Sequence, residues 1–84
     1  MTRVLYFARL REDVGRASET IELPSEVDTV GALRAWLARR GDPWDAALAG
    51  RKAVRVAVNQ AMVDDRAAVA PGDEVAFFPP VTGG

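Results

Sequence analysis

The stretch V-G-A-L-R-A-W-L-A-R-R, residues 30–40, is the clearest helix in this 84-residue sequence. Its apolar residues recur at helical spacing and are Val30, Leu33, Trp36 and Leu37. One side of the helix is therefore expected to be apolar and to pack against a sheet. The residues at its ends agree, because Asp28 or Thr29 can cap the N-terminus and Gly41 can end the helix.

Extended segments lie on both sides of this helix, two before it and three after it. They are rich in β-branched and aromatic residues and cover residues 3–8, 19–23, 54–58, 61–63 and 74–78. Short helical stretches are predicted at residues 8–14 and 44–48. Pro79 and Pro80 end the last strand, because proline cannot donate a ladder hydrogen bond. This order predicts an α+β protein with a β-grasp, or ubiquitin-like, fold: a mixed sheet with one main helix packed on one face, within residues 1–80.

The composition excludes several classes of function. A chain of 84 residues is long enough for one domain, and it contains no Cys and no His. Disulfides, thiol nucleophiles, Ser–His–Asp triads and Cys/His zinc sites are therefore excluded. With 11 basic and 12 acidic residues, the chain lacks the positive charge that binds nucleic acid or anionic membranes. Neither a signal peptide nor a membrane span is apparent, so we expect a cytoplasmic protein.

The end of the chain is expected to be the working part. The two prolines are followed by four residues: Val81, Thr82, Gly83 and Gly84. Four extended residues reach about 13 Å, and two terminal glycines can enter a slot that side chains would block. We expect Pro79-Pro80 to be a stiff spacer and residues 81–84 to be a flexible tail that presents the Gly84 carboxylate. The alternative is a frayed terminus without a role.

Three apolar residues are candidates for a docking surface at the base of this tail. Alternation along the strands directs Tyr6 and Phe77 towards the helix, so Phe7 and Phe78 are expected on the other face of the sheet. Met62, just after the Asn59-Gln60 turn, can join them. An apolar surface of this kind would bind a partner; the alternative is that these three residues fill the core.

Several motifs identify a family. The ending G-D-E-V-A-F-F-P-P-V-T-G-G, residues 72–84, closely resembles the C-terminus of the small subunit of molybdopterin synthase, the MoaD family. Residues 3–12 (R-V-L-Y-F-A-R-L-R-E), 30–34 (V-x-A-L-R) and 57–60 (A-V-N-Q) are similar as well. The resemblance covers essentially the whole chain in one register.

The resemblance implies a β-grasp sulfur carrier. In that family an E1-like adenylating enzyme uses ATP to activate the terminal carboxylate, here Gly84 after Gly83, and a sulfurtransferase system converts it to a thiocarboxylate. The carrier then docks on the large synthase subunit and gives its sulfur to a cyclic pyranopterin monophosphate. The family also implies a heterotetramer of two small and two large subunits and no cofactor bound to the carrier. The residues implied to contact the partner are Phe7, Met62, Phe78, Pro79, Pro80, Val81 and Thr82.

Other functions remain open on the residues alone. A carrier of the same fold could serve thiazole synthesis, cysteine synthesis or tRNA thiolation, although the double proline favours the molybdopterin pathway. A ubiquitin-like modifier would use the same adenylate but form isopeptide bonds. A plain interaction module would leave the tail without a role.

We predict no functional site that is formed by charged side chains alone. Three acidic pairs, at residues 12–13, 64–65 and 73–74, could ligate a hard cation, but we expect solvated turns and predict no metal site. Arg9, Arg11 and Arg66 could pair with acidic groups of a partner or form a solvated face.

Overall fold

The helices and strands follow the predicted order. The computed structural model describes residues 1–49 and 54–79. The elements are β1 Thr2–Tyr6, α1 Ala8–Val14, β2 Ser18–Ile21, α2 Val30–Ala38, a π-helical turn Asp45–Ala49, β3 Arg55–Val58, β4 Ala61–Val63 and β5 Glu74–Phe78. None of the helices within these described ranges is long and apolar enough to cross a membrane.

The five strands form one mixed sheet in the order β2-β1-β5-β3-β4. The last strand, β5, lies in the middle, parallel to β1 and antiparallel to β3. The outer pairs, β1 with β2 and β3 with β4, are antiparallel. The predicted mixed sheet is confirmed, and its central strand is the one that leads into the tail.

Helix α2 covers one face of this sheet. Its N-terminus is capped by Thr29, whose side-chain oxygen accepts a hydrogen bond from the Ala32 backbone N–H at 3.1 Å. The helix ends at Ala38, two residues before the predicted end, because the chain turns away through Gly41 at φ 89°. An N-cap at residue 28 or 29 was predicted, and the structure selects Thr29.

The core lies between α2 and the face of the sheet that α2 covers. Buried side chains on this covered face include Val4, Tyr6, Ile21, Val56, Val75 and Phe77. They meet the apolar side of α2, where Leu33 and Leu37 are fully buried. Trp36 and Trp44 are partly buried against the same cluster. The predicted inward set of the strands is confirmed.

The connection between β3 and β4 is a two-residue hairpin turn. Asn59 and Gln60 both have positive φ, 50° and 70°, as the preferred hairpin turns require. The predicted tight turn is confirmed, and β4 is a short edge strand of three residues.

Candidate docking site at the end of the central strand

The face of the sheet opposite α2 carries a continuous row of apolar side chains. We define this open face by Leu5, Ala57, Met62, Ala76 and Phe78. Leu5 and Ala57 each pair in register with Ala76, and Ala57 pairs with Met62. Because side chains at paired positions share a face, the row crosses β1, β5, β3 and β4. Helix α2 covers the opposite face, and the buried residues of α1, Leu10 and Val14, belong to the core on that covered side.

Two aromatic residues lie at the end of the open face where β5 stops. Phe7 directly follows β1 and is 48 % exposed, while Phe78 is the last residue of β5 and is partly buried. The Phe7 backbone N–H donates to the Phe77 carbonyl at 3.1 Å, which fixes the end of β1 against β5. Both rings are therefore held beside Pro79, where the chain leaves the sheet.

Phe7 is directed outward by the local backbone. Alternation along β1 buries Tyr6, so Phe7 falls on the other side. The next residue, Ala8, has φ 52°, a left-handed conformation that turns the chain abruptly into α1. Leu10 and Val14 anchor α1 in the core. An exposed aromatic ring on an anchored turn is a suitable docking element.

The remaining docking candidate, Met62, lies at the other side of the open face. Its side chain is 56 % exposed on the edge strand β4. It borders a hollow of about 490 Å³ that also contacts Arg34, Arg55 and Asp64. A second hollow of about 330 Å³ lies next to Phe7. The structure thus places Phe7, Phe78 and Met62 on one face, and their role in binding stays a prediction.

The C-terminal residues that are predicted to carry and position the reactive carboxylate lie outside the described residues. This applies to Pro80, Val81, Thr82, Gly83 and Gly84. Pro79 is described and is partly buried.

Two of the three acidic pairs contribute a carboxylate to a turn, whereas Glu12-Asp13 lies within helix α1, so the predicted turn is wrong for that pair. Asp64 accepts the backbone N–H of Arg66 at 2.8 Å, and Asp73 accepts that of Ala70 at 2.8 Å. These hydrogen bonds lower the pKa of both carboxyl groups. Across residues 1–49 and 54–79, no three acidic side chains come together as metal ligands would.

A polar network on the covered face was missed by the sequence reasoning. The Tyr6 hydroxyl donates to Glu19 at 2.7 Å and accepts from the Trp44 indole N–H at 3.2 Å. Arg40 donates to both Glu19 oxygens at 2.9 Å. Burial, followed by the hydrogen bond to Glu19, raises the pKa of Tyr6 above that of an ordinary phenol. These residues come from distant parts of the chain, so no local sequence pattern predicts that they interact.

Comparison with known proteins covers the whole chain. Residues 4–84 match the model of the ThiS family. The molybdopterin synthase sulfur carrier subunits of Haemophilus influenzae and Escherichia coli are each 46 % identical over 84 residues, which is 100 % of this chain and 100 % of each relative.

Two solved structures share the fold. A Pyrococcus furiosus protein assigned as molybdopterin converting factor subunit 1 matches with a TM-score of 0.76 and 30 % identity, over 95 % of this chain and 97 % of that one. SAMP1 from Haloferax volcanii matches with a TM-score of 0.72 and 29 % identity, over 99 % and 98 %. The β-grasp prediction is confirmed, and with a family match that spans nearly every residue, this chain belongs to the ThiS family.

Proposed function

We propose that this chain is the sulfur carrier subunit of a molybdopterin synthase. The observation that carries the proposal is the 46 % identity, over the full length of both chains, to two relatives that bear this name. A subunit acts together with at least one other chain, which fits an open face that α2 leaves uncovered.

The chemistry is a two-step activation of the Gly84 carboxylate. A carboxylate oxygen attacks the α-phosphorus of ATP on the E1-like adenylating enzyme, and pyrophosphate leaves. Hydrosulfide, which a thiol reductant releases from the persulfide of a sulfurtransferase, then attacks the acyl carbon, and AMP leaves with the electron pair of the broken C–O bond. The resulting thiocarboxylate carries the sulfur that is transferred to the cyclic pyranopterin monophosphate.

This chain supplies the carried group and no acid–base catalyst. It contains no His and no Cys, the residue types that most often serve as base or nucleophile at neutral pH. The adenylating enzyme and the large subunit therefore supply the catalytic groups, and ATP binds to the former. What this chain contributes is a narrow end and a surface that aligns it.

The open face is suited to that alignment. Phe7 and Phe78 lie at the point where β5 ends, next to Pro79, and Met62 extends the apolar surface to the edge strand. A partner that covers this face would receive the chain beyond Pro79 in one direction. Docking and insertion of the tail are then a single event.

A second candidate function is a ubiquitin-like protein modifier. It is favoured by the likeness to SAMP1 and to the H. volcanii small archaeal modifier protein 1, which is 26 % identical over 95 % of this chain. Both functions begin with the same adenylate and differ in the nucleophile that attacks it.

Intact mass after charging separates the two functions. The protein is mixed with its host's adenylating enzyme, ATP and a sulfur donor, and a gain equal to the difference between sulfur and oxygen is expected. Deleting Gly84, or adding a residue after it, should abolish the gain without lowering the free energy of unfolding. Conjugates to lysines of other proteins would support the modifier. An unchanged mass, while a known carrier is charged in the same mixture, would overturn both.

A further inference from the structure

Two arginines at the aromatic end of the open face lack partners among the described residues, as Arg9 and Arg39 do elsewhere in the fold. Arg11 and Arg55 are exposed, and within the described ranges their side chains make no ion pair and no hydrogen bond. By contrast, Arg34 pairs with Asp65 at 2.8 Å and Arg66 with Asp64 at 3.4 Å. The two unpaired guanidinium groups are free to meet an anion from outside.

These two arginines flank the aromatic pair. Arg55 on β3 is paired in register with Phe78 on β5, so the two side chains are neighbours on the open face. Arg11 lies one helical turn after Phe7, and both residues line the hollow of about 330 Å³. The order across this end of the sheet is therefore Arg11, Phe7, Phe78, Arg55.

Within residues 1–49 and 54–79, no acidic side chain forms an ion pair with Arg11 or Arg55. Glu74 is paired in register with Arg3, four residues away from Phe78 along β5. Asp64 borders the same hollow as Arg55, but it accepts hydrogen bonds from the backbone and the guanidinium of Arg66. Arg3 thus lies in register with the carboxylate of Glu74, although no ion pair joins them, whereas the carboxylate of Asp64 in the hollow beside Arg55 is already bound by Arg66.

Building on the proposed function, we propose that Arg11 and Arg55 bind carboxylates of the large subunit on either side of the slot that receives the tail. A partner that covers Phe7 and Phe78 removes water from the adjoining guanidinium groups as well. A cation that loses water without gaining a counter-ion is costly, so a matching partner carries an anion at each position. Charges at the rim of an interface also steer the approach of the two proteins.

A second copy of this chain does not fit the same surface. In a two-fold symmetric contact the same patch appears on both sides, so both copies would bring unpaired arginines to the contact. Repulsion between like charges disfavours that dimer. A partner with an apolar centre and an acidic rim satisfies both the aromatic and the charged groups.

The test measures how these arginines affect binding to the host's large subunit. Arg11→Gln and Arg55→Gln should each weaken binding about threefold, and the double variant about tenfold, as expected for exposed ion pairs. Most of the loss should lie in the association rate, and the double variant should depend less on salt than the wild type. Arg39→Gln, at the exposed C-cap of α2, is the matched control and should bind as the wild type does.

A fourth variant tests position rather than charge. Arg3→Gln removes an open-face arginine that has Glu74 beside it, and it should change the binding constant less than Arg11→Gln does. Charge reversal, Arg11→Glu with Arg55→Glu, should weaken binding about a hundredfold, and an acid-to-arginine change in the partner should restore part of it. All variants should keep the wild-type free energy of unfolding to within about 0.5 kcal/mol.

The outcomes are distinguishable from failure of the proposed function. If the wild type does not bind the large subunit, the proposed function fails, and the arginine proposal fails with it. If the wild type binds and delivers sulfur, but the double variant binds equally well and with the same salt dependence, only the arginine proposal is overturned. Equal losses for Arg39→Gln and Arg11→Gln would likewise overturn it.

Discussion

The two faces of the sheet use the same kinds of side chain in different ways. On the covered face, Arg40 binds Glu19 at 2.9 Å and lies 5.0 Å from the centre of the Trp44 ring. On the open face, Arg11 and Phe7 share a hollow that faces solvent. On the covered face the arginine and the aromatic ring contact each other within the chain. On the open face the corresponding side chains are left facing solvent. The difference indicates that the covered face holds the fold together, and it supports the proposal that the open face binds another protein.

Two adjacent residues of β5 test this comparison most strongly. Phe77 is fully buried on the covered face, so Phe77→Ala should lower the free energy of unfolding by about 4 kcal/mol. Phe78→Ala, on the open face, should lower it by about 1 kcal/mol or less. Urea denaturation measures both. If the first variant does not fold, Phe77→Leu should still be the more destabilising of the two substitutions.

The same pair should show the reverse order in binding. Phe78→Ala should weaken binding to the large subunit at least about tenfold, as loss of a central aromatic contact does. A folded Phe77→Leu protein should bind nearly as the wild type does. Equal effects of both residues on stability would place Phe78 in the core and would contradict the division of the faces.

Disruption of the polar network on the covered face should have the next largest effect on the free energy of unfolding. Glu19→Ala leaves the Arg40 guanidinium and the Tyr6 hydroxyl without their acceptor, and it should cost about 2 kcal/mol of unfolding free energy. Glu22→Ala, at an exposed position just beyond β2, is the matched control and should change stability by less than about 0.5 kcal/mol. Similar values for the two variants would show that the network is not stabilising.

Alkaline pH should lower the free energy of unfolding through ionisation of Tyr6, which is buried on the covered face. Because its pKa is raised in the folded state, folding favours the neutral phenol. This stability is complete below the pKa of the unfolded phenol and is lost as pH rises towards the folded value. Above about pH 10 the free energy of unfolding should fall by about 1.4 kcal/mol per pH unit. Tyr6 is the only tyrosine, so phenolate absorbance follows it directly.

Tyr6→Phe is the control for this pH dependence. It should be less stable than the wild type at neutral pH and should lose less stability between pH 10 and 11. A phenolate that appears near pH 10 while the protein stays folded would contradict the assignment.

The smallest expected changes in the free energy of unfolding concern two alanines, Ala8 and Ala35, that have different backbone conformations. Ala8 has φ 52° beside the open face, so Ala8→Gly should relieve strain and raise the free energy of unfolding by about 0.5 kcal/mol. Ala35→Gly, at an exposed position of α2, should lower it by about 1 kcal/mol. Thermal and urea denaturation measure both signs. A loss of stability in Ala8→Gly would contradict the presence of strain at that turn.

Local patterns were enough to locate most helices and strands. The predicted strand 74–78 coincides with β5, and the start of α2 follows its Thr29 cap. The predicted strand 3–8 extends two residues past β1, because the composition cannot reveal the left-handed turn at Ala8. The π-helical form of Asp45–Ala49 is likewise not encoded in any spacing.

The sequence predicted the candidate site only where the alternation of side chains along a strand determines the face of the sheet on which a residue lies. Alternation alone separated Phe77 from Phe78, since neighbouring strand residues point to opposite faces. It did not decide which arginines are paired within the chain. Arg11 and Arg66 looked alike in the sequence, yet Arg66 pairs with Asp64 and Arg11 does not. Arg66 meets Asp64 because the turn between them brings the two side chains together. The acidic residue next to Arg11 in the sequence, Glu12, does not meet it in α1.

The central position of β5 has a mechanical consequence. A pull on the chain beyond Pro79 acts along β5, which is held by hydrogen bonds to β1 on one side and to β3 on the other. Such a force loads both ladders in shear, so their bonds resist together instead of opening one after another. A tether attached to an edge strand could be peeled away. The sheet is therefore expected to stay intact when the chain beyond Pro79 is pulled along the direction of β5.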